Sequence, residues 1–111
     1  MTDPVVDPAT FNELQANAGA DFVAELVETF ADEAPGLVGE LRNAFAAGAV
    51  DRFRRAAHSL KSNSLTFGAT RLASLARELE LGGLPAGPAA IDVLAAELEA
   101  TLAALRSLAR A

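Results

Sequence analysis

The chain has 111 residues, 51% of them apolar, no cysteine and a net charge of -6. That is one ordinary domain with material for a single core, and it excludes wholesale disorder, disulfides and thiolate metal sites. An acidic chain is also repelled by nucleic-acid phosphates and by anionic lipid, so neither is expected as a partner.

The opening stretch MTDPVVDPATF has no basic segment leading into an apolar one, so it does not read as a secretion signal. No run approaches a membrane span in length. A cytoplasmic protein is the expectation.

Asp7-Pro8 reads as an N-cap followed by a first-turn proline, opening a short helix from about Pro8 to Asn17 that stops near Gly19. A second helix is expected from Asp21. Its residues Phe22, Val23, Leu26, Val27 and Phe30 share one face, while Asp21, Glu25, Glu28 and Asp32 line the other. Pro35 is expected to break this helix or to begin the next. Leu37, Val38, Leu41, Ala44 and Phe45 then form another stripe that ends at Gly48.

The following segment runs from about Ala49 to Phe67 with Gly68 as its stop. The next, about Ala69 to Leu81, is expected to bury Leu72, Leu75, Ala76 and Leu79. A Gly- and Pro-rich loop covers residues 82–88. The last helix, about Pro88 to Ala109, carries Ile91, Leu94, Leu98, Leu102 and Leu105 at the spacing of a bundle seam. No segment alternates with period two over a strand's length. The fold expected is all-α: an antiparallel up-down four-helix bundle with one or two extra short N-terminal helices, spanning 1–111 as a single domain.

On a helical wheel, Phe53, Ala56, Ala57, Leu60, Ser64 and Phe67 gather on one side of the segment AVDRFRRAAHSLKSNSLTFGA. The only histidine, His58, falls roughly 140° from the centre of that side. It shares the outer side with Asp51, Arg54, Arg55, Lys61, Ser62 and Leu65. A lone histidine in a helical protein is most often an ordinary surface or core residue, and a run of arginines is often just a solvated face. The company of this one points further. Of nine Lys and Arg in the chain, four are Arg52, Arg54, Arg55 and Lys61. A basic patch on an acidic protein is a candidate anion site. Neighbouring cations also disfavour the imidazolium and leave a ring nitrogen with a lone pair for attack on phosphorus. Ser62 is small enough to let a partner's backbone approach. Leu65, apolar on a wet face, is a candidate docking residue beside Arg54 and Arg55, although single exposed leucines are common.

Ala57, His58, Leu60, Lys61, the small residues Ser62, Asn63 and Ser64, and then Gly68-Ala69 resemble the signature of the histidine phosphotransfer domains of bacterial and fungal phosphorelays. The Leu79-Glu80 pair and the amphipathic stretch from Asp21 to Gly48 fit as well, so the resemblance extends over nearly the whole chain. It implies a phosphoryl carrier in which His58 takes the group from a receiver-domain aspartate or a sensor kinase and relays it to another response-regulator aspartate. Lys61 would offset the charge of the phosphoryl oxygens. The resemblance implies response-regulator receivers and an upstream, often hybrid, histidine kinase as partners, and no cofactor of the chain's own, with Mg²⁺ in the partner receiver. Ser62 stands where many members have glycine; serine is still small, so close approach is expected, with different packing against the receiver.

No nucleotide-binding motif is present, so the chain is not expected to use ATP or to be an enzyme in its own right. From Met1 to residue 111 it reads as a free-standing carrier, and a bundle without a spare apolar helix face is expected to be monomeric. One alternative is an adaptor that binds a receiver or kinase without carrying phosphate. A metal-dependent bundle enzyme needs Glu-x-x-His on two helices, and here Arg55 stands three residues before the one histidine. A serine hydrolase would have to use Ser59 or Ser62 in mid-helix, without an oxyanion hole. A membrane-surface helix protein is disfavoured by the acidic balance.

Overall fold

A computed structural model describes residues 4–110; the reading of the amino end as lacking a signal, and the outer ends of the 1–111 span, involve residues outside these. Five helices follow one another: α1 Pro8–Ala18, α2 Ala20–Ala47, α3 Val50–Thr66, α4 Thr70–Leu81 and α5 Ala89–Arg110. There is no strand among the described residues. α2 to α5 make the four-helix bundle, and α1 is a single short N-terminal addition. None of the helices is long and apolar enough to cross a membrane.

The helix ends follow from local chemistry. The Asp7 carboxylate caps α1 by accepting from the Ala9 N–H at 3.2 Å and from the Thr10 hydroxyl at 2.7 Å. Gly48, left-handed at φ 67°, closes α2, and the Ala49 N–H reaches back to the Ala44 carbonyl. Gly68 closes α3 in the same way at φ 78°. A Cβ at Gly68 would also lie 2.7 Å from the Thr10 Cβ, because α1 packs over this turn and the Asp7 N–H donates to the Gly68 carbonyl.

Ion pairs display the antiparallel order. Glu28, early in α2, meets Arg106, late in α5; Arg42, late in α2, meets Asp92, early in α5. Arg52 pairs with Glu40 between α3 and α2, and Arg71 with Glu97 between α4 and α5. The four helices thus close a ring around Val27, Leu41, Phe53, Leu60, Leu72, Ile91, Leu94 and Leu105. Phe30 and Phe67 pack with ring centroids 5.4 Å apart where α2 meets the α3–α4 turn.

Pro35 corrects an expectation. It neither breaks nor starts a helix: α2 runs through it for 28 residues. Ala31 and Ala34 before it and Val38 and Leu41 after it are buried on the same face. One lost backbone hydrogen bond is outweighed by a core stripe that needs an unbroken rod. Leu75 is only partly buried, and Phe22 stands 52% exposed rather than joining Val23 and Val27 inside. Both sit at the edge of their apolar stripes, where neighbouring helices no longer cover them.

Candidate functional site around His58

α3 sorts its residues as the wheel predicts. Phe53, Ala56, Ala57, Leu60 and Ser64 are buried, and the Ser64 hydroxyl is satisfied by donating to the Leu60 carbonyl at 2.5 Å. At 100° per residue His58 lies about 120° round the helix from buried Ser64, and its side chain stands 57% exposed. Arg54, Arg55, Ser62 and Leu65 are all exposed on α3.

The residue that organises the site comes from the neighbouring helix. Glu80 of α4, its side chain only 13% exposed, turns one carboxylate oxygen to His58 Nδ1 at 2.6 Å and the other to Lys61 Nζ at 2.7 Å. Lys61 first, and His58 second, hold the Glu80 carboxyl below its ordinary range. An ionised carboxylate only accepts, so the proton in this hydrogen bond sits on His58 Nδ1. In the neutral ring the lone pair then belongs to Nε2.

This corrects the electrostatics read from sequence. The charged group bonded to the imidazole is an anion, and Lys61 is neutralised by that same anion. The basic patch is also less free than its composition suggests. Arg52 is engaged by Glu40 at 2.6 Å and Arg54 by Asp51 at 3.3 Å; among the described residues only Arg55 of the four basic residues makes no ion pair. In the sequence Glu80 stands out only as part of the Leu79-Glu80 pair of the family pattern, with no role at the histidine assigned to it. It lies 22 residues from His58, and only the tertiary pairing of α3 with α4 brings them together.

On the other side of His58 an open groove separates α3 from α2, with Ser59, Ser62 and Asn63 on one wall and Asp32, Gly36 and Leu37 on the other. No group of three or more His, Cys, Asp or Glu able to hold a metal occurs among the described residues.

A family model described as the Hpt domain matches residues 25–107. In structure the chain is similar to histidine-containing phosphotransfer protein B from Pseudomonas aeruginosa PAO1, with a TM-score of 0.76 and 27% identity over 98% of this chain and 94% of that one. No curated protein sequence matches. Since the family model spans most of the chain and contains both the histidine helix and its α4 neighbour, the protein belongs to the Hpt domain family, the histidine phosphotransfer proteins of phosphorelays.

Proposed function

We propose that His58 is the phosphoacceptor and that Nε2 is the reacting atom. The observation that carries this is the hydrogen bond from Nδ1 to Glu80, which leaves Nε2 as the nucleophilic nitrogen of an exposed ring. Nε2 attacks the phosphorus of an aspartyl phosphate on a receiver domain. The N–P bond forms as the acyl P–O bond breaks, and the aspartate departs as a carboxylate. No proton has to leave the ring, since the proton stays on Nδ1, donated to the Glu80 carboxylate, throughout. The ring becomes a phosphorylated imidazolium, and the Glu80 carboxylate offsets its positive charge. Transfer to the next receiver is the reverse step.

Lys61, on the adjacent turn of α3, has three ammonium N–H donors, and those not turned to Glu80 serve the phosphoryl oxygens. Both oxygens of Glu80 are already committed, so the acidic pocket and its Mg²⁺ are assigned to the receiver, and catalysis by this chain is mostly positioning. Arg54, Arg55, Ser62 and Leu65 form the docking rim. The partners are response-regulator receivers and an upstream histidine kinase, and the chain acts as a carrier with no ATP chemistry of its own.

The test is phosphoryl transfer to the purified protein from a panel of phosphorylated receiver domains, with His58→Gln alongside. Rapid acid-labile labelling of the wild type, abolished in the folded variant, is the expected result. Receivers that bind wild type and His58→Gln alike without labelling either would establish the adaptor reading instead.

A further inference from the structure

Pro35 and Gly36 both work against the helix that contains them. Proline removes a backbone donor, and glycine is the least favourable helix-interior residue after proline. Gly68 has two reasons to be glycine, a positive φ and the close approach of Thr10. Gly36 has neither. Its φ is not in the left-handed region, and a Cβ built there meets no atom within 4 Å. Nothing inside the chain requires the missing side chain.

Its position gives the reason. Gly36 is exposed and borders the same groove as His58, Ser59 and Ser62. On the α4 side of the ring, Glu80 and Lys61 fill the adjoining space with an ion pair. A partner reaching Nε2 therefore has its open approach across α2 and α3, where Gly36 and Ser62 keep the two walls low.

We infer that Gly36 is a specificity-determining clearance residue: its absent side chain lets the main chain or a bulky side chain of the incoming receiver domain seat over α2. It thereby selects which receivers bring their aspartyl phosphate into line with His58. The inference rests on the phosphorelay reading above. In-line transfer needs the reacting atoms at about 3–3.5 Å, so a side chain that lifts the partner by one ångström has a large effect on rate.

The experiment compares Gly36→Ala, Gly36→Gln and the control Gly39→Gln. Gly39 lies in the same helix with equally open space at its Cβ, but away from the groove. Each variant is melted and labelled in two ways: with phosphoramidate, a small donor that needs no docking, and with the phosphorylated receiver most active on wild type. The Gly36 variants should melt no lower than wild type and should label normally with phosphoramidate. Receiver transfer should slow about threefold in Gly36→Ala and by about tenfold or more in Gly36→Gln, with Gly39→Gln unaffected. Wild-type transfer by Gly36→Gln, or equal slowing by Gly39→Gln, overturns the proposal. So does a lowered melting temperature in Gly36→Ala, which would assign the glycine to accommodating Pro35. A wild type labelled by phosphoramidate but by no receiver overturns the phosphorelay reading itself, and the proposal falls with it.

Discussion

The seam between α2 and α5 and the seam between α3 and α4 both carry ion pairs, but of different kinds. Along α2–α5, Arg42–Asp92 and Glu28–Arg106 join side chains that are all at least 44% exposed. Solvent and salt screen such pairs, and they add little to stability. Along α3–α4, Lys61 and His58 converge on a Glu80 carboxylate that is mostly covered, so the charges feel one another more strongly. The first arrangement fastens two helices at their ends. The second sets the tautomer and the local charge of the reactive ring. The same residue types serve either purpose, and the depth and number of shared partners decide which.

The largest effect expected from breaking either seam comes from the core they enclose. Leu60, fully buried and two residues from His58, should destabilise the bundle by about 2–5 kcal/mol on Leu60→Ala in denaturant titration. A loss near zero would mean that the inner face of α3 does not hold the site. Glu80→Ala should come next. It removes the charge-assisted hydrogen bond that holds the reactive ring, so phosphoryl transfer should fall about ten- to hundredfold. Glu80→Gln, which retains an acceptor for Nδ1–H, should recover part of it. Nitrogen NMR of the ring should show Nδ1–H in wild type and in Glu80→Gln, and mixed tautomers in Glu80→Ala.

The same carboxyl gives the α3–α4 seam an acid limit. Its pKa is lowered in the folded chain from an ordinary 4.5, so its contribution to stability is fully present above that value. As pH falls through the lower folded value, protonation withdraws it. Melting temperatures measured from neutral to acid pH should therefore fall less steeply in Glu80→Gln than in wild type. At the bottom of the scale, Arg42→Ala should change stability by about 0.2–1 kcal/mol and leave transfer untouched. A larger loss would erase the contrast between the two seams.

Much of this was readable in one dimension. The apolar spacing of α3 placed Phe53, Ala57 and Leu60 inward and His58 outward, because a helix converts spacing into direction without help from the rest of the chain. The residue pattern from Ala57 to Ala69 marked the family. Pro35 misled because a local rule about backbone donors was overruled by burial on both sides of it. Phe22 misled because a stripe shows which residues face inward but not where the neighbouring helix ends.

By itself the sequence determined an all-helical bundle, the outward histidine and the lysine one turn on, since each depends on residues within a few positions of one another. Only the tertiary structure decided that Glu80 holds Nδ1 and neutralises Lys61, and that the open approach to Nε2 runs past Gly36. Those relations join residues on different helices, with His58 and Glu80 22 positions apart in the chain. Their distances are set by how the helices pack, which local periodicity does not encode.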